Sequence, residues 1–107
     1  MTTGKVFNLV YSTVVKEHLG AIEAKYYSLI RQKIEEQLLY EPDIETENRK
    51  MLVVPNAVEA TWEIRFGPNN RFRVFYAVDR VAREVQILAI GVKVGNRLLI
   101  GREEIEL

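Results

Sequence analysis

The stretch from Thr61 to Tyr76, TWEIRFGPNNRFRVFY, restricts the possible folds of this chain more than any other. Trp62, Ile64 and Phe66 alternate with Glu63 and Arg65, and Phe72, Val74 and Tyr76 alternate with Arg71, Arg73 and Phe75. Large apolar residues at every second position mark strands buried on one face. Between the two runs stand Gly67, Pro68, Asn69 and Asn70. Gly and Asn tolerate positive φ and Pro fixes its own φ, so this is a turn and the whole is a hairpin. A one-residue slip would carry an entire apolar set to the wrong face. The turn must therefore be of odd length, centred on Asn69, with Trp62 opposite Tyr76, Ile64 opposite Val74 and Phe66 opposite Phe72. The same register sets Arg65 opposite Arg73. Like charges facing each other across strands cost some part of the roughly 0.2–1 kcal/mol typical of cross-strand pairs. Either both guanidinium groups splay into screening solvent or the pair holds an anion.

The remaining segments are arranged around this hairpin. Lys5–Tyr11, KVFNLVY, is a strand with apolar residues on both faces, as expected of a strand inside a sheet. Ser12 or Thr13 offers a helix N-cap. A first helix then places Val15, His18 or Leu19, and Ile22 on one face, with Gly20 where a helix ends or kinks. A second helix over Glu23–Leu39 carries an apolar line of Tyr26 or Tyr27, Ile30, Ile34 and Leu38, and Pro42 stops it. Residues 41–48 form a polar linker. Met51–Val54 either anchors that linker to the core or forms a brief edge strand.

Beyond the hairpin, Asp79–Arg83 is a turn and Glu84–Lys93, EVQILAIGVK, is the most apolar strand. Regular alternation puts Val85, Ile87 and Ala89 on one face and Leu88 and Ile90 on the other. A turn centred on Val81 would place Val74 opposite Leu88, Arg73 opposite Ala89 and Arg71 opposite Gly91, with Lys93 on the outer face. An apolar strand of this kind needs a cover on both sides. Gly95-Asn96 signals another turn. The final RLLIGREEIEL alternates too weakly to choose between strand and helix. The order β-α-α-β-β-β predicts a single α+β domain over residues 1–107, with a helical hairpin packed on one face of a mostly antiparallel sheet. The outer face is expected to be partly open and to carry Glu63, Arg65, Arg73 and Lys93.

Composition narrows the chemistry. Of the 107 residues 48% are apolar, enough for a core. There is no cysteine and one histidine, His18, which leaves no disulfide, thiolate site or multi-histidine metal site to expect. No cofactor motif is present. No run approaches the ~18 apolar residues of a membrane span, and MTTGKVFNLVYS lacks the pattern of a signal peptide. A cytoplasmic protein is the expectation. The net charge is zero, yet residues 63–97 hold seven basic against three acidic residues, while residues 35–47 hold six acidic and no basic ones. This excludes a generally basic nucleic-acid binder and suits a local anion site.

Arginine donates bidentately and stays charged, so cations converging on the outer face suit a phosphate. Acting on RNA there would mean orienting the 2′-hydroxyl and stabilising a charged phosphorane. Glu63, two residues from Arg65 on the same face, either acts as general base or neutralises the arginines. Phe75, also on that face, could stack a base or contact a protein. Arg71 and Arg97 are further candidates for binding RNA phosphate. Tyr76 reads as core, and His18 as a packed or surface residue.

The topology, the hairpin WEIRF…RFRVFY and the later strand ILAIGVK together resemble the RelE/ParE superfamily of bacterial type II toxins, over nearly the whole chain. The resemblance implies a small toxin neutralised by a co-encoded antitoxin. In the RelE branch it implies a metal-independent, ribosome-associated mRNA endonuclease, and in the ParE branch a non-nuclease toxin that binds gyrase. On this resemblance Arg65, Arg73 and Lys93 match basic positions of the family site. Glu63 stands where RelE-type nucleases often have lysine. Leu98 and Leu99 occupy the neighbourhood of the C-terminal tyrosine or histidine of many active nucleases, and the chain is neutral (pI ≈ 6.6) where ribosome-directed members tend to be basic.

Overall fold

A computed structural model describes residues 6–107. Residues 1–5, which include Lys5, the expected start of the first strand, and the first five residues of the stretch weighed as a leader, lie outside the described residues. Two helices, α1 (Val14–Gly20) and α2 (Tyr27–Leu38), lie against one mixed sheet. Its strands are β1 (Asn8–Tyr11), β2 (Arg49–Met51), β3 (Trp62–Phe66), β4 (Phe72–Asp79), β5 (Glu84–Val94), β6 (Arg97–Ile100) and β7 (Glu103–Glu104). They follow the order β2-β3-β4-β5-β6-β7, with β1 parallel to the first half of β5 and every other pair antiparallel. The fold is the expected α+β arrangement, extended by β2 and by a C-terminal hairpin that the weak alternation of residues 97–107 could not resolve.

The helices end and pack for local reasons. Gly20 closes α1, and the expected second helix begins later, after a 3-10 turn over Ala24–Tyr26. Ile30, Ile34 and Leu38 are the buried line of α2. The Arg31–Glu35 pair, four residues apart, stays on its exposed side at 3.3 Å. Thr13 takes the N-cap position of α1, but its side chain does not cap the helix; the first turn closes by the Val15 amide donating to the Ser12 carbonyl. Trp62, Ile64, Phe66, Phe72, Val74 and Tyr76 meet the helices in one core with Phe7, Val15, Ile22, Val85, Ile87 and Ile90. Arg49 is buried beside this core, where it donates to the carbonyls of Ile44 and Gln37 and to the Gln37 side chain. These bonds tie β2 to the end of α2.

The hairpin register is as the pattern required: Trp62 faces Tyr76, Ile64 faces Val74, Arg65 faces Arg73 and Phe66 faces Phe72. Asn69 and Asn70 take positive φ in the turn. The next register differs from expectation. Arg73 faces Gly91, not Ala89, and Val74 faces Ile90, not Leu88. A bulge inserts Leu88 between the pairs Phe75–Ala89 and Tyr76–Ile87. A bulged residue breaks the alternation, so Val85, Ile87 and Ile90 all join the helix-side core while Leu88 and Ala89 pack on the second face.

Two further expectations are corrected. The first strand is not interior: among the described residues β1 pairs with β5 alone, and Val10 and Tyr11 are exposed. Its apolar residues instead line a groove of about 590 Å³ shared with α2, formed by Phe7, Leu9, Tyr11, Tyr27, Ile30 and Ile34. The second face is also less open than expected. Ala60, Phe75, Ala89 and Ile100 are buried there in a second apolar cluster, joined by Leu52, Val58, Leu88, Leu98 and Ile105. The cover that β5 needs therefore comes from this chain's own segment 52–60 and its C-terminal hairpin.

Candidate anion-binding site

Beside the second cluster lies a cleft of about 490 Å³ lined by Glu63, Arg65, Arg73 and Lys93 from β3, β4 and β5. Leu52, Asn96, Leu98 and residues 104–107 complete its walls. The sheet brings these charges together because alternate residues share a face and registered residues sit side by side. Gly91, opposite Arg73 on one side and Ile100 on the other, contributes no side chain, which leaves room for the Ile100 and Leu98 side chains of β6 on this face.

Glu63 organises the floor of the cleft. Its side chain is only 3% exposed, yet it accepts from Arg65 Nε at 3.0 Å and from an Arg73 terminal nitrogen at 3.4 Å. One carboxylate thus sits between two guanidinium groups that face each other across the strands, and it offsets their repulsion. Arg73 is held further by its Nε donating to the Asn70 carbonyl at 3.1 Å. Burial, then the neighbouring Arg65 charge, lowers the Arg73 pKa, and Glu63 acts in the opposite direction. Arginine remains protonated under such pressure, so the shift records a crowded positive centre. Two cations sharing one anion leave a net positive charge. The more open Arg65 and Lys93, which has no salt-bridge partner among the described residues, add donors at the lip.

Three of the sequence-derived candidates lie elsewhere. Phe75 is on the expected face but fully buried under the second cluster, so it is not available to stack a base. Arg71 leaves the strand in a helical turn conformation. Its guanidinium turns to the helix side, donating to the Tyr26 hydroxyl at 3.2 Å and lying over the Tyr26 and Phe72 rings. Arg97 is exposed on β6 and donates to Glu104 at 2.9 Å. His18 is outside the cleft; its Nδ1 accepts from the Ile90 amide in the gap between β1 and β6 along the β5 edge. Glu104 and Glu106, which line the cleft, were not anticipated. The run Glu103-Glu104-Ile105-Glu106 carried that signal only in its acidity, since its position depends on the C-terminal hairpin.

In sequence, the chain matches no family model and no curated protein. In structure, it is similar to a chain of the RelBE2 toxin–antitoxin complex from Mycobacterium tuberculosis. That match has a TM-score of 0.61 at 16% identity, and covers 82% of this chain and 99% of the other. At that identity the likeness speaks for the path of the backbone, and with the sheet order and helix pair described above it shows that this chain has a RelE-like toxin fold.

Proposed function

We propose that this chain is the toxin of a type II toxin–antitoxin pair, acting on mRNA as an endoribonuclease through the Arg65–Arg73–Lys93 cleft and neutralised by an antitoxin. One observation carries the reading: two arginines face each other over a single buried carboxylate at the base of an open cleft, in a RelE-like fold. In this reading Arg65, Arg73 and Lys93 bind the scissile phosphate and stabilise the charge that develops on the phosphorane, as preorganised donors do in a partly desolvated site. Glu63 is a positioning residue: each of its oxygens already accepts from a guanidinium. The antitoxin would lie along the apolar groove between β1 and α2, where an edge strand and an apolar floor can accept an added segment.

The test is inducible expression of the chain alone in a bacterial host, with mapping of mRNA 5′ ends. The expected result is growth arrest with new 5′ ends, both abolished by Lys93→Ala and Arg65→Ala at undiminished protein level. Arrest that persists in these variants would remove the cleft from the mechanism. A second reading, a ParE-like toxin that binds a protein target such as gyrase, is favoured by the absence of any tyrosine or histidine among the residues that line the cleft. Co-purification of gyrase with unchanged mRNA ends would select it.

A further inference from the structure

The edge strand β2 carries a basic residue on the cleft side of the sheet. Among the described residues β2 pairs with β3 alone, and its register sets Lys50 opposite Glu63, with Arg49 opposite Ile64 and Met51 opposite Trp62. Directly opposed residues of an antiparallel pair project from the same face. Ile64 and Trp62 belong to the helix-side core and Glu63 to the floor of the cleft, so Lys50 shares the face of the cleft. Leu52, two residues on, agrees with this direction: its amide continues the pairing by donating to the Thr61 carbonyl at 2.9 Å, and it lines the cleft. Lys50 is exposed and has no ion-pair partner among the described residues. Both oxygens of Glu63 already accept from guanidinium groups, so its charge is balanced without Lys50.

We infer that Lys50 extends the anion site onto the edge strand and binds a backbone phosphate of single-stranded RNA that flanks the one held by Arg65 and Arg73. This rests on the phosphate-binding reading above and adds the path of the strand to it. Lys50, Arg65, Arg73 and Lys93 stand on β2, β3, β4 and β5, one cation per strand. Lys50 is level with Glu63, two residues from Arg65 along β3. Lys93 donates its amide to the Arg71 carbonyl at 2.7 Å and so lies two residues from Arg73 in the opposite sense. The four cations therefore form a diagonal. Three strand spacings and an offset of four residues give it a length of about 20 Å. One phosphate cannot bridge that distance, whereas a chain of phosphates can, and an ammonium on a long stem meets each as a point charge.

The test compares two fluorescently labelled, uncleavable 2′-O-methyl oligoribonucleotides on the full chain. A trinucleotide covers the cleft alone; a nonanucleotide also reaches Lys50. Lys50→Ala is expected to weaken the nonanucleotide roughly 2- to 5-fold and to leave the trinucleotide unchanged, while Lys50→Arg keeps the parent affinity. The slope of log affinity against log salt should be steeper for the nonanucleotide, and Lys50→Ala should make that slope shallower by about 0.7. A lysine on an edge strand also guards against edge-to-edge pairing, a role that does not touch RNA. If Lys50→Ala changes neither oligonucleotide while Lys93→Ala weakens both, Lys50 is such a guard; the inference is overturned and the phosphate-binding reading stands. Equal weakening of both oligonucleotides by Lys50→Ala, with a lower melting midpoint, would make its role structural and overturn the inference too. If Lys93→Ala weakens neither, or the parent binds neither, both readings fail.

Discussion

Glu63 shows how one residue can decide what a pair of like charges means. Without it, Arg65 and Arg73 would confront each other across β3 and β4 with only solvent between them. With it, they are fixed and aimed into one cleft. Replacing Glu63 by Gln keeps the shape and removes the charge. Breaking a fully buried pair costs roughly 3–5 kcal/mol, and here Arg65 is 42% exposed and can rehydrate. The expected loss for Glu63→Gln is therefore about 2 kcal/mol, or a fall of roughly 8 °C in the melting midpoint of a domain this size. Adding Arg73→Gln should restore part of it, because the second substitution removes the uncompensated charge; thermal unfolding of the single and double variants checks this. His18 offers a second test. Burial lowers its pKa, with the Glu17 charge opposing, and its Nδ1 serves as acceptor for the Ile90 amide. A histidine depressed in the folded state binds fewer protons than in the unfolded chain. Stability is therefore full above the unfolded pKa of about 6.5 and falls as pH drops through it towards the folded value. Denaturant titrations at pH 7.5 and 5.5 should show that loss in the parent and a smaller one in His18→Gln.

At the scale of elements, what could be read from the sequence and what could not divides along the bulge. The β3–β4 hairpin was fully legible because its alternation is unbroken and its turn is composed of residues suited to positive φ. The β4–β5 pairing was not, because Leu88 has the same apolar character as its neighbours. Nothing in the letters says that it is the extra residue or that the turn before it is one residue off. The expected register was therefore one residue out on the turn side, with Val85 and Ile87 on the wrong face, and two residues out beyond the bulge, where Ala89 and Ile90 keep the expected faces. The charged face was legible as a set, Glu63, Arg65, Arg73 and Lys93, because the first three lie in strands of regular alternation and, for Lys93, the one-residue error at the turn and the one-residue bulge cancel. The walls of the cleft were not, since residues 104–107 reach it only through two tight turns at Gly95 and Gly101, both with positive φ. Phe75 was placed on the right face with the wrong exposure, because alternation reports direction and not what another segment lays on top. The hairpin turn makes its own prediction. Gly67 has φ +83° and ψ −178°, a region that is essentially glycine's own. A Cβ there would come within 2.6 Å of the Phe72 ring. Gly67→Ala is expected to cost about 2 kcal/mol from backbone strain and this contact. Urea unfolding would show it as a lower midpoint at an unchanged slope.

At the scale of the whole molecule, neutrality and a positive cleft are compatible because the charges are segregated. The six acidic residues of 35–47 belong to α2 and the linker after it, whereas Arg65, Arg73 and Lys93 come from the sheet's second face. The linker's end does reach β3, where the Arg65 amide donates to the Asn48 carbonyl at 2.9 Å, but salt screens exposed charges over a Debye length of about 8 Å, so the more distant acidic side chains weigh little at the cleft. A polyanion is therefore attracted at short range and with few charges, unlike the wide field of a strongly basic protein. The consequence is quantitative. Each phosphate neutralised on a single strand contributes about 0.7 to the slope of log affinity against log salt. Arg65 and Arg73 share one carboxylate, so with Lys93 the cleft offers between two and three effective charges. The slope for a short single-stranded RNA should lie between roughly −1.4 and −2.1, and Lys93→Ala should make it shallower by about 0.7. Binding titrations across a range of potassium chloride concentrations measure this directly. A much steeper slope would mean that Arg71, Arg80 or Arg83, which lie outside the cleft, also contact the strand; a slope near zero would mean that the cleft does not hold phosphate.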